Sequence, residues 1–370
     1  MSSGTALPSV LDVVRRRPAR LGLAIVGLLL FADLVRRLNR GTLGWAELLG
    51  FVWDGTVLGL SIGLAGIGLA LTYSILRFAN FAHGDLVTAG AFAGWLTTFL
   101  VVGLGSVSFE ALLYIGGPIS IDTRTLAISI TNTPIGIVLG LLVSAGITAV
   151  LALAIDRLVF RPMRDQGGIA LLIASVGVAL ALRYLLVFVF QAGTRGLTSG
   201  PVTPSWRLSI DGGTVAVTAH ELTLAAIAGL LMLGTHLLLR YTKLGTAMRA
   251  MADNRDLAQI TGIPTERVVR DTWLLGGALA GASGFLIALE QGTLTTDLGW
   301  ALLLLIFAAV ILGGIGSVYG AILGGLVIGI TSRVSLVWIP SSLIIAAAFV
   351  AMITIMLVRP SGLLGGVRTA

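Results

Sequence analysis

The chain has 370 residues, of which 56% are hydrophobic and 11% charged, with a mean hydropathy of +1.01 and a formal net charge of +7. A soluble domain carries roughly a quarter charged residues, so this composition excludes a soluble globular protein. Apolar runs of about 20 residues recur, each long enough to cross a bilayer as a helix, and the short alternating segments of a membrane β-barrel are absent.

The first 20 residues are polar and end in Arg15-Arg16-Arg17-Pro18-Ala19-Arg20, followed by the short apolar run Leu21 to Val35. No small-residue cleavage site follows, so the run reads as a signal anchor over residues 21–38 rather than a signal peptide. Arg36, Arg37 and Arg40 on its far side argue against simple crossing. Residues 52–76 form the next span, with Gly55, Gly59 and Gly63 at the four-residue spacing that lets a second helix approach. Residues 77–85, RFANFAHGD, interrupt the apolar pattern before a stretch to about residue 105. Residues 106–133 read as a loop, Pro134 to Ile155 as a span, and Asp156 to Gly168 as a basic loop with Arg157, Arg161 and Arg164.

Ile169 to Phe190 is a span containing Arg183, which the pattern leaves free to snorkel towards the outer surface. Residues 191–220 are a Gly/Pro/Thr-rich loop, and Glu221 to Leu239 is a span leading into the longest polar run, Arg240 to Arg270. Val268 to Leu289, Trp300 to Gly313, a segment ending near Arg333, and Leu343 to Val358 complete the apolar set. Gly316, Gly320 and Gly324 suggest a second ladder of small residues. The reading is an all-α, polytopic transmembrane helical bundle of about eight full spans, plus a possible extra N-terminal one.

Charge orients the set. With the loops 156–168 and 240–267 on the cytoplasmic side, that side also receives RFANFAHGD, the N-terminus and the C-terminus. It then carries sixteen basic residues, against six outside: Arg36, Arg37, Arg40, Arg124, Arg195 and Arg207. This is the bias that retention of arginine and lysine on the cytoplasmic side produces. The positive charge needs no nucleic-acid partner, and no nucleic-acid motif accompanies it.

Chemistry-bearing patterns are few. There is no cysteine, which excludes disulfides, thiolate metal sites and cysteine nucleophiles. His83, His220 and His236 have no metal-ligand spacing, and no G-x-x-x-x-G-K-[ST] loop exists to hold ATP. Asn80, His83 and Asp85 place three polar side chains between apolar segments, where Gly84 lets the backbone bend. Polar groups at membrane depth line a pathway or a bundle interior; they also make tight turns and helix caps. Both readings stay open from the residues.

In the 240–270 run, Leu244 to Asp253 reads as one short helix, Asp253 or Asn254 as a break and cap, and Asp256 to Ile260 as a second helix ended by Gly262. Thr265-Glu266 can cap the span that follows. Leu244, Ala247, Met248 and Met251 share one helical face. A Met-rich face suits an adaptable docking surface; a basic amphipathic helix also suits lipid headgroups.

At this point the residues resemble a known family, the membrane-spanning permease subunit of branched-chain amino-acid ABC importers of the leucine/isoleucine/valine type. The resemblance rests on Asn80-Phe81-Ala82-His83-Gly84-Asp85; Asp156-Arg157-Leu158-Val159-Phe160-Arg161-Pro162-Met163-Arg164; Leu244-Gly245 with Ala247, Arg249-Ala250, Ala252-Asp253, Ala258 and Gly262-Ile263; Leu312-Gly313-Gly314-Ile315-Gly316-Ser317; and Arg359-Pro360-Ser361-Gly362-Leu363-Leu364-Gly365. It implies a cell-membrane subunit that hydrolyses nothing itself and holds no cofactor. It implies pairing with a second, related permease, two cytoplasmic ATPases that use ATP and Mg, and an extracytoplasmic substrate-binding protein, with membrane lipid around them.

The resemblance also implies that Leu244, Gly245, Ala247, Arg249, Ala250, Asp253, Asn254, Ala258 and Gly262 couple to the ATPase, and that Asn80, His83 and Asp85 line the substrate path. Residues 1–44 extend beyond the family pattern as an added anchor, before a permease domain at 45–366 with its coupling region at 240–267. The 106–133 loop is long for the family, and Thr246 stands where a basic residue is usual. Urea or short amides are an alternative cargo. The rival class is an ion-coupled secondary transporter or channel for a small polar solute, with His83, Asp85 and Arg183 as its polar path.

Overall fold

The computed structural model of the protein describes residues 18–113, 126–198 and 203–364. The Arg15–Arg17 cluster, Pro118, Asp122, Arg124, Gly365 and Arg368 lie outside the described residues. Among the described residues the α-helices of six residues or more are α1 (Pro18–Asn39), α2 (Trp45–Leu76), α3 (Ala82–Val102), α4 (Pro134–Ile155), α5 (Gly168–Phe190), α6 (Ala219–Tyr241), α7 (Lys243–Asp253), α8 (Arg255–Ile260), α9 (Thr265–Gln291), α10 (Leu298–Gly313), α11 (Val318–Val334) and α12 (Ile344–Val358), and a single helical turn at Phe109–Leu112 interrupts the expected 106–133 loop. Among the described residues, eight helices are long and apolar enough to cross a bilayer: α2, α3, α4 with its extension to Gln166, α5, α6, α9, α11 with its extension to Val337, and α12 with the turn before it. At 16 residues, α10 is shorter. The chain is a multi-pass helical membrane protein.

In their apolar stretches α2, α3 and α9 are mostly buried, whereas α4, α5, α6 and α12 show most of their apolar surface outward. That division follows from glycine, serine and threonine content, because membrane helices pack through small residues rather than through a hydrophobic drive. The Gly55-Gly59-Gly63 ladder of α2 meets α11, where a Cβ added at Gly59 would lie 2.8 Å from the Gly325 carbonyl oxygen. On α11 the α2 ladder meets Gly325 and Gly329, while the second ladder serves another helix. Gly316 precedes the helix in a turn with φ +85°, while Gly320 and Gly324 face Gly313 and Ala309 of α10. On the other side of the core, the Ser144 hydroxyl of α4 donates to the Gly281 carbonyl of α9 at 2.7 Å. The Ser283 hydroxyl of α9 donates to the Ser61 carbonyl of α2 at 3.0 Å.

The 191–220 segment is more ordered than its composition suggests. β1 (Arg195–Gly196) pairs antiparallel with β4 (Thr293–Leu294), and β2 (Ser205–Ile210) pairs with β3 (Gly213–Thr218) as a hairpin, in register Ser205 to Thr218. Asp211 and Gly212 turn the hairpin with φ +48° and +77°, the left-handed pair that a two-residue turn needs and that an Asp-Gly dipeptide supplies. Thr218 and Glu221 then form a reciprocal capping box at the start of α6.

α1 docks at the hairpin end of the bundle. Asp33 holds Arg36 at 2.6 Å and Arg37 at 2.7 Å and accepts from the Trp338 indole at 3.0 Å. Arg36 and Arg37 thus share a carboxylate instead of standing as bare charges. The connections 77–81, 156–167 and 242–264 gather at the opposite end, here the basic end.

Candidate functional site

Two groups of residues meet at the basic end. The first is the broken α2–α3 connection. α2 ends on Arg77 in a left-handed conformation, φ +58°, and Asn80 turns the chain, its side-chain oxygen accepting from the Ala82 amide at 3.1 Å. Its Nδ2 is buried without a partner among the described residues. His83 is buried and its Nε2 lies 2.8 Å from the Ala65 carbonyl; a carbonyl only accepts, so Nε2 carries the proton and pins α3 to α2.

Asp85 is fully buried and receives Arg183 of α5 through two hydrogen bonds of 3.1 Å, Nε to Oδ1 and Nη2 to Oδ2. The guanidinium also lies 4.6 Å above the Trp300 ring. Arg183 therefore points into the bundle and not to the outer surface. Helical side chains lean towards the helix N-terminus, which carries the guanidinium back down α5 to the first turn of α3. The Phe81 amide, donating to the Ser175 hydroxyl at 3.0 Å, sets that alignment. Gly299 of α10 crosses beside Gly84, and its amide donates to the Thr88 hydroxyl at 2.9 Å.

The second group is the elbow from Thr242 to Pro264. Thr242 caps α7 by accepting from the Gly245 amide, and Asn254 caps α8 by accepting from the Leu257 amide. α8 begins at Arg255, one residue before the expected start, and Gly262 closes it at φ +88°. Neither Thr265 nor Glu266 caps α9; Pro264 holds that position without a side-chain bond. Gly245 and Met248 of α7 and Ala258 of α8 are buried, as is Met251.

The Met-rich face is thus turned onto the protein's own bundle, where α7 packs against α6, α9 and α2, and is not an outward docking face. The 11-residue α7 buries this apolar stripe because the apolar ends of neighbouring helices lie beneath it. Leu244, Ala247 and Ala250 are half-buried on the same packing side, and Arg249 donates to the Leu239 carbonyl at the end of α6. What faces outward is Lys243, Thr246, Asp253, Asn254, Arg255, Asp256 and the two apolar residues of α8, Leu257 and Ile260, exposed by 54% and 81%.

One contact joins the two groups directly, and two more tie the 156–166 segment to the α2–α3 connection and to α9. The Arg77 guanidinium donates to the Ala252 carbonyl near the end of α7. Phe78, Phe160 and Trp273 form a continuous aromatic run, with centroids 5.1 Å and then 5.3 Å apart. Arg164 clamps the 156–166 segment by binding both oxygens of Asp156 at 2.8 and 2.7 Å and both oxygens of Glu266 at 2.9 and 3.0 Å. The remaining sequence motifs close the same end: the Leu363 and Leu364 amides donate to the Leu312 and Gly313 carbonyls at 2.8 and 3.0 Å.

Motifs spread from residue 80 to residue 364 are therefore neighbours in space. The residues that sequence reasoning leaves out are Arg77, Ser175, Trp273 and Trp300; each carries a polar handle in an apolar setting, the one signal that could have marked them. Among the described residues, no group of three His, Cys, Asp or Glu side chains could hold a metal ion.

Comparison with known proteins agrees in extent with this architecture. The family profile described as "Branched-chain amino acid transport system / permease component" matches residues 51–358. The high-affinity branched-chain amino acid transport system permease protein LivH of Salmonella typhimurium is 27% identical over 316 residues, covering 85% of this chain and 94% of that protein. LivH of Escherichia coli K12 is 27% identical over 322 residues with the same coverage, and BraD of Pseudomonas aeruginosa is 24% identical over 313 residues, covering 84% and 94%. No solved structure matches the chain. The chain belongs to the branched-chain amino acid transport permease family.

Proposed function

We propose that this permease is the membrane subunit of an ATP-driven importer of branched-chain amino acids in the cell membrane, with its basic end and C-terminus in the cytoplasm. It acts with a second, related permease, with two cytoplasmic ATPases that use ATP and Mg, and with an extracytoplasmic protein that delivers the substrate. Residues 45–366 are the permease unit, and residues 1–44 are an added N-terminal anchor. The observation that carries this reading is the elbow: it buries its own Met-rich face while presenting Leu257 and Ile260 among charges, away from the bundle. Exposed apolar side chains rimmed by charge are the usual core of a protein contact.

Motion follows from the contacts. ATP binding closes the two ATPases and displaces α7 and α8 as a unit. The Arg77–Ala252 bond and the Phe78–Phe160–Trp273 run transmit that displacement to the α2–α3 connection. The polar layer of Asn80, His83, Asp85 and Arg183 then shifts, the glycine-packed helices move as bodies, and the open side of the path switches. The name of the relatives supports an aliphatic amino acid as cargo in preference to urea or a short amide. The test is leucine uptake by the complete transporter in liposomes, with urea and acetamide as competitors. Leucine transport that depends on ATP and is indifferent to both amides supports the assignment; transport by the permease alone without ATP, as a carrier would perform, overturns it.

A further inference from the structure

The basic end holds a cavity that neither the path nor the elbow uses. It lies between the end of α4 and the first turns of α9, has a volume of about 220 Å³, and is lined by Leu153, Asp156, Arg157, Arg161, Glu266, Arg267 and Arg270. The two carboxylates are already engaged, since Arg164 binds both oxygens of each from outside the cavity. Arg161 adds a 3.4 Å contact to Glu266, and Arg270 pairs with Asp271. Arg157 and Arg267 have no acidic partner among the described residues, so the cavity presents unneutralised guanidinium groups to whatever enters.

Its position selects the ligand. Leu153 lies in the last turn of α4, and Val150 and Leu158 beside it expose 66% and 78% of their surface. Those are apolar side chains of the bilayer-facing helix, so the arginines stand where hydrocarbon gives way to headgroups. Guanidinium groups bind phosphate through paired hydrogen bonds, and basic pockets between spans on the cytoplasmic side suit anionic lipid headgroups. We propose that this cavity is a binding site for an anionic phospholipid, with the phosphate held by Arg157 and Arg267 and the acyl chains along Val150 and Leu153. The inference rests on the membrane placement of the basic end proposed above, and is independent of cargo and of ATPase docking.

The experiment titrates dioctanoyl phosphatidylglycerol into the full-length protein in detergent and reads bound lipid by native mass spectrometry, with dioctanoyl phosphatidylcholine alongside. Phosphatidylglycerol is expected to bind at least tenfold more tightly than phosphatidylcholine. The Arg157→Gln/Arg267→Gln variant is expected to weaken it roughly 30-fold, at the strength of basic residues beside an anionic surface. The Arg157→Lys/Arg267→Lys variant is expected to retain most of the affinity. If the double glutamine variant loses its melting transition, Arg267→Gln alone is expected to weaken binding roughly fivefold. Unchanged phosphatidylglycerol affinity in the glutamine variants overturns the proposal, as does equal binding of phosphatidylcholine. Displacement by millimolar inorganic phosphate assigns a soluble anion instead and overturns the lipid. Loss of ATPase co-purification with lipid affinity intact assigns the cavity to the ATPase and likewise overturns it.

Discussion

Arg183 on α5 and Asp85 on α3 meet through two 3.1 Å hydrogen bonds although 98 positions separate them in the chain. The carboxylate is fully buried and the guanidinium mostly so. Removing one member of such a pair strands the other charge, at a cost of about 3–5 kcal/mol. Asp85→Ala and Arg183→Ala are each expected to lower the melting temperature of the detergent-solubilised protein, whereas Asp85→Leu/Arg183→Leu regains most of it. Uptake stays lost in the double variant if the pair belongs to the path; full recovery of uptake with stability would make the pair purely architectural.

Among the described residues, Arg77 alone donates a side-chain hydrogen bond from the broken connection to the backbone of α7. Arg77→Ala is expected to leave insertion and ATPase co-purification intact while reducing uptake at least tenfold. Paired measurements of co-purification and leucine uptake in the same membranes check this, and normal uptake would remove the bond from the route of coupling.

Close helix approach makes the Gly59–Gly325 crossing intolerant of side chains. Gly325→Val is expected to destabilise the protein by about 1–3 kcal/mol or more, as overpacking does, and to reduce the folded yield. Gly229→Ala on α6, where a Cβ meets nothing within 4 Å, is the matched control and is expected to be neutral. Melting curves of the two variants decide between a packed crossing and a loose one.

Arg164 bears two carboxylates at once, and Asp156 beneath it is buried. Arg164→Ala is expected to lower the melting temperature by more than Arg161→Ala, whose contact with Glu266 is longer, at 3.4 Å, and exposed. Equal effects would show that burial does not distinguish the two arginines.

What could be read from the sequence was whatever is local. Hydropathy located the spans, Asn254 announced its cap by residue type, and Gly262 marked the end of α8 because few other residues take φ +88° readily. Asp211-Gly212 carried a hairpin signal of the same local kind, hidden by the loop-like residues around it. Partners across the bundle left no such mark. Small residues recur on several faces of α11, so position in sequence could not tell which ladder would meet α2. The Met248–Met251 face was equally compatible with an external partner and with the bundle, and only the neighbouring helix ends decided it. Arg183 offered no clue to Asp85, because its direction follows from how α5 sits against α3.

In the mechanism proposed above, the ATPase engages the outward face of α8. The direct measurement is ATP hydrolysis by the complete transporter in liposomes, with and without substrate-loaded binding protein, comparing wild type with Leu257→Asp/Ile260→Asp. Both side chains are exposed, so the variant is expected to fold and insert normally, yet to lose ATPase retention and substrate-stimulated hydrolysis by at least tenfold. Wild-type stimulation in that variant would contradict the account.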